Sequence, residues 1–75
     1  MNVNKVLDAK GLACPMPLVK TKKALNEVNS GEILEVISTD KGAKTDLTAW
    51  CKATGNVLLD MKEENDVFTF YIKKA

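Results

Sequence analysis

The chain has 75 residues, with eleven lysines and no arginine set against ten acidic residues, no histidine, and a formal charge of +1. The lack of histidine excludes a Ser-His-Asp triad, a Cys-His pair and any imidazole metal ligand, and the lack of arginine excludes a bidentate guanidinium clamp on phosphate or guanine. Near-neutrality predicts no global attraction to nucleic acid or to an anionic membrane, and the length allows one domain with a thin core, expected over residues 1–75.

The first residues, Met-Asn-Val-Asn-Lys, have no apolar run of the signal-peptide kind. The longest strictly apolar run is three residues, too short for a transmembrane helix. A soluble cytoplasmic protein is the expectation, with both cysteines as reduced thiols. Two cysteines without histidine fall short of the four ligands of structural zinc, so neither metal nor cofactor is expected.

Asn4 to Asp8 reads as a short strand, punctuated by Gly11. A first helix is predicted from Cys14 or Pro15 to Asn29, with Ser30-Gly31 as its stop. Leu18, Thr21, Leu25 and Val28 share one face of it, and Lys23 and Glu27 are spaced for an ion pair on the other. Glu32 to Ser38 reads as a mostly buried strand. Thr39 or Asp40 is the expected cap of a second helix over 41–54, with Leu47, Trp50, Cys51 and Thr54 as its apolar stripe and Gly55-Asn56 as its stop. Val57 to Lys62 is a third strand, Glu63 to Asp66 a polar hairpin turn, and Val67 to Lys73 a fourth strand with Phe68, Phe70 and Ile72 alternating against polar positions. The order βαβαββ with right-handed crossovers predicts an α/β fold: a two-layer sandwich, a four-stranded mixed sheet with both helices on one face.

Gly11 to Val19, Gly-Leu-Ala-Cys-Pro-Met-Pro-Leu-Val, carries no charged side chain, and both prolines of the chain lie in it. Its one reactive group is the thiol of Cys14. With Pro15 as first helical residue, Cys14 becomes the N-cap. Pro17 has no N–H, which leaves the Met16 amide to donate to the sulfur. That bond and the positive helix end would favour the thiolate and lower the thiol pKa. The alternative is a buried cysteine acting as a small hydrophobe, and this fits Cys51, beside Trp50 on an apolar stripe, better than Cys14. Lys20, Lys22 and Lys23 form either a solvated helix face or a docking surface near Cys14. Lys44 is a weaker candidate of the same kind. Leu12 and Met16 fit either an apolar docking patch or the core.

Asp8-x-x-Gly11-x-x-Cys14-Pro15-x-Pro17 resembles the signature of the TusA/SirA/YedF family of small sulfur-carrier proteins. The likeness continues through Asp40, Asp46, Leu47, Trp50, Cys51 and Gly55. It departs at Thr48, Asn56 and Lys44, where many members have Pro, His and Arg. The resemblance implies a sulfurtransferase-type carrier with little turnover alone, Cys14 holding a sulfane sulfur as a persulfide. It implies a cysteine desulfurase or rhodanese-like donor and an acceptor sulfur-relay protein, with tRNA thiolation among the pathways served. Gly11, Pro15, Met16 and Pro17 would support the thiolate. Lys20, Lys23, Lys44 and Asp46 are candidates for docking or charge, and Cys51 is a structural candidate. A monomer that contacts neither nucleic acid nor membrane directly is expected. Two other classes stay open: a thiol redox regulator, which needs the two cysteine Cα atoms within about 7 Å, and a small RNA- or protein-binding module.

Overall fold

The computed structural model describes residues 2–75. The elements are β1 (Lys5–Ala9), α1 (Met16–Leu25), β2 (Ile33–Ser38), α2 (Ala43–Thr54), β3 (Val57–Glu64) and β4 (Val67–Lys73). The sheet order is β1-β2-β4-β3, with β1 parallel to β2, and β4 antiparallel to both β2 and β3. This is the predicted βαβαββ sandwich with its mixed sheet.

Strand alternation makes one sheet face apolar. Leu34 pairs with Ile72, Val36 with Phe70 and Ser38 with Phe68, and all six are buried. From the helices, Ala24, Leu25, Ala43, Leu47 and Cys51 join the same core cluster, and Leu7, Leu18, Trp50, Leu58 and Met61 pack around it. Full burial of a side chain such as Phe70 or Leu47 contributes about 1.5–3 kcal/mol. The opposite face, with Val6, Glu35, Ile37 and Tyr71, has no helix over it and is exposed or half-buried.

Element ends differ from the sequence reading for local reasons. Helix α1 stops at Leu25 and not Asn29. The amides of Asn26, Glu27 and Val28 donate to the carbonyls of Lys23, Ala24 and Leu25, so the chain tightens to three-residue turns. Val28 remains buried. Glu27 pairs at 2.6 Å with Lys5 of β1, and not with Lys23 as the helical spacing predicts. On α2 the residue capping the first turn is Gly42, with no side-chain cap. Thr39 and Asp40 do not cap it: the Thr39 hydroxyl accepts from the Gly11 amide at 2.9 Å, and the Asp40 amide donates to Ser38 Oγ. Thr54 is exposed, and the buried residues of the α2 stripe are Ala43, Leu47 and Cys51.

Strand β3 runs to Glu64, which reduces the turn to Asn65 and Asp66, with φ of 52° and 63°. Two left-handed residues make the tight hairpin turn whose twist matches its strands. Strand β3 is an edge strand, and its register shifts at a bulge between Leu58 and Asp60.

Candidate functional site

Because β1 and β2 are parallel, they end at the same edge of the sheet, and both helices begin there. The segment Lys10–Pro15 and the loop 39–42 therefore lie side by side. Gly11 adopts φ +82°, a left-handed conformation that a side chain disfavours, and its amide bond to Thr39 Oγ1 ties the two loops together. Gly11, Leu12, Ala13, Thr39 and Asp40 line a shallow hollow at this junction.

Cys14 is exposed on this segment and lies one residue further out than expected. Pro15, not Cys14, is the N-cap, and the helix begins at Met16. The Cys14–Pro15 peptide is cis. The Met16 amide does not reach the sulfur; it donates to the Ala13 carbonyl at 2.9 Å. Pro17 is fully buried, and its carbonyl accepts from the buried Thr21 hydroxyl at 2.7 Å, so the start of α1 is anchored in the core. Met16 and Val19 stay exposed on the outer side of α1, and Leu12 is half-buried.

The Cys14 Sγ donates to Asp46 Oδ2 at 2.8 Å. Asp46 sits in the first turn of α2 and is half-buried. This contact reverses the electrostatics read from the sequence. The hydrogen bond to Asp46 raises the thiol pKa above its ordinary value, helped by desolvation and by the charges of Asp46 and Asp40. The physical reason is a contest of magnitudes. A helix N-terminus offers about half a positive charge, and its field fades within a turn. Here it meets a carboxylate in direct hydrogen-bond contact, which stabilises the protonated thiol. The charges that act most strongly on Cys14 are the carboxylates of Asp46 and Asp40.

One carboxylate oxygen of Asp40 is buried without a hydrogen-bond partner, close to where Gly42 would carry a Cβ. Lys20, Lys22 and Lys23 are exposed on α1, and Lys44 is exposed on α2. Cys51 is 2 % exposed in the core, its pKa raised by burial, and both cysteines are free thiols. Among the described residues, no group of three or more metal-ligating side chains occurs.

The sequence reading placed Asp46 in the family likeness and among the docking or charge candidates, without a contact to Cys14, and gave Thr39 only a capping role. The signal for their closeness to Cys14 lies in topology: both follow β2, whose end adjoins that of β1.

The fold and this site define a small α/β sandwich that presents one thiol where two helices begin. The family model described as Sulfurtransferase TusA matches residues 5–74. YrkI of Bacillus subtilis (strain 168) is 64% identical over 75 residues, all of both chains. The sulfur carrier protein TusA of Allochromatium vinosum is 51% identical over 69 residues, 92% of this chain and 91% of that one. The crystal structure of a SirA-like protein from Desulfitobacterium hafniense superposes with a TM-score of 0.81 at 25% identity, covering 92% of this chain and 95% of that one. The chain belongs to the TusA family.

Proposed function

We propose that this protein is a sulfur carrier, one domain whose Cys14 accepts a sulfane sulfur as a persulfide and passes it to an acceptor protein. The observation that carries the reading is the contrast between the thiols. Cys14 is exposed on an anchored segment and is followed by Pro15 and Pro17, whereas Cys51 is buried in the core. Family membership and the sulfur carrier TusA among the relatives support it.

In loading, the Cys14 sulfur attacks the outer sulfur of a donor persulfide. A new S–S bond forms on Cys14, the donor's S–S bond breaks, and the donor leaves as a thiol. Release repeats the exchange with an acceptor thiolate as nucleophile. The thiolate is the attacking species throughout. A cysteine desulfurase or rhodanese-like protein is the donor in this reading, and a relay serving tRNA thiolation is one acceptor. Exposed Met16 and Val19 beside Lys20 and Lys23 on α1 give the partners an apolar and basic surface next to the thiol.

The test is intact mass after exposure to a sulfane-sulfur donor, with and without reductant. Wild type and Cys51→Ser should gain one reductant-sensitive sulfur, and Cys14→Ser should gain none. Full loading of Cys14→Ser would refute the assignment.

A further inference from the structure

The carrier reading leaves open why sulfur moves on from Cys14 and does not simply stay there. We propose that Asp46 loosens the carrier's hold on its sulfur: its carboxylate stabilises the unloaded Cys14 thiol over the loaded form, which makes release to an acceptor more favourable and loading from a donor less favourable by the same amount. This inference rests on the carrier reading and adds a residue to its site.

The geometry is a difference between two states of one atom. Unloaded, Cys14 Sγ carries a proton and donates it to Asp46 Oδ2 at 2.8 Å. Loaded, Sγ is bonded to Cβ and to the outer sulfur, and it has no proton to donate. The outer sulfur lies one S–S bond farther out, about 2.05 Å. A persulfide ionises more readily than a thiol, so this outer atom is predominantly an anion near neutral pH. Asp46 from α2, in hydrogen-bond contact with Sγ, and Asp40 from the β2–α2 loop are the charged groups that act most strongly on Cys14, and both are carboxylates. Loading therefore exchanges a charge-assisted hydrogen bond for repulsion.

The exchange balances without an oxidant or reductant. On loading, the Sγ–H proton passes to Asp46 Oδ2 and from there to the donor's departing thiolate. On release, the Cys14–S bond breaks and its electron pair returns to Sγ. Sγ then takes up the proton given up by the acceptor thiol, and the contact with Asp46 re-forms. Asp46 touches the reacting atom in one state only, and this asymmetry weakens the hold on the sulfur.

The experiment equilibrates the full chain with glutathione persulfide and glutathione at fixed ratios and reads the loaded fraction by intact mass. Asp46→Asn keeps the side-chain shape, and Asp46→Ala removes the acceptor altogether. Thermal melts show that each variant is folded. Both should raise the ratio of loaded to unloaded carrier about threefold to tenfold, the low end for such a bond because the site is exposed. Asp40→Asn should raise it less, since Asp40 acts only through space. The pH dependence of Cys14 alkylation by iodoacetamide should move to lower pH in Asp46→Asn. A wild type that loads, with folded Asp46→Asn and Asp46→Ala at the same ratio, overturns the role of Asp46 and leaves the carrier reading standing. A wild type that loads at no ratio overturns the carrier reading, and the inference with it.

Discussion

Replacing Gly11 by alanine should destabilise the protein by about 1–2 kcal/mol, the cost of holding an L-residue in the left-handed region. The magnitude is purely conformational, because a Cβ built on Gly11 meets nothing within 4 Å. Gly31 offers an internal control. Its φ is +84°, its surroundings are equally open, and it lies in the turn before β2, away from Cys14. Gly31→Ala should therefore cost the same stability. Total stability for a chain of this length is roughly 4–11 kcal/mol, so either change is a sizeable fraction, and melting should fall by about 4–16 °C. The two variants should part company at the thiol. If the turn relaxes to relieve the added methyl group, the backbone amide at this position leaves Thr39 Oγ1 and the Cys14 segment loses its tie to the β2–α2 loop. The rate of Cys14 alkylation should change in Gly11→Ala and not in Gly31→Ala. Chemical denaturation and timed alkylation on both variants make the test. A Gly11→Ala protein as stable as wild type, or equal alkylation rates in the two variants, would refute the reasoning.

Leu47→Ala removes a fully buried side chain from the α2 stripe and should cost about 2–5 kcal/mol by urea denaturation. A loss below about 1 kcal/mol would mean that the core closes around the gap. Asp66→Gly relieves a left-handed residue in the two-residue hairpin and should stabilise by up to about 1 kcal/mol. A lowered melting temperature would show that the Asp66 side chain contributes something the turn geometry does not reveal.

Periodicity made the architecture legible. The alternation of Phe68, Phe70 and Ile72 placed β4, and the Leu47–Cys51 spacing placed α2, because both patterns are imposed by burial in a single core. Helix starts were less legible. A cap depends on where the helix starts and on a free side chain: Thr39 Oγ1 is taken by the Gly11 amide, and Asp40, whose Oδ2 has no partner, lies two residues before the Gly42 N-cap. The Cys-Pro-x-Pro segment singled out Cys14, yet the predicted direction of its pKa was wrong. That prediction used only neighbours along the chain. The group that governs the thiol is thirty-two residues away in sequence, and contact across two βα units leaves no periodic trace. Asp46 belonged to the resemblance, but its partner became known only when the two strand ends were placed side by side.

The bulge in β3 lies on an open edge of the sheet. A free strand edge is a template on which another chain can add hydrogen bonds, and a helix-free sheet face beside it would allow stacking as well. Here the shift between Leu58 and Asp60 breaks the even spacing of donors and acceptors along that edge. The charged residues Asp60, Lys62, Glu63 and Glu64 along the strand set like charge against like wherever a second copy aligns in parallel register. In a sandwich with one layer of helices, backbone irregularity and charge along β3 thereby disfavour strand addition at that edge, where larger folds would use a covering layer.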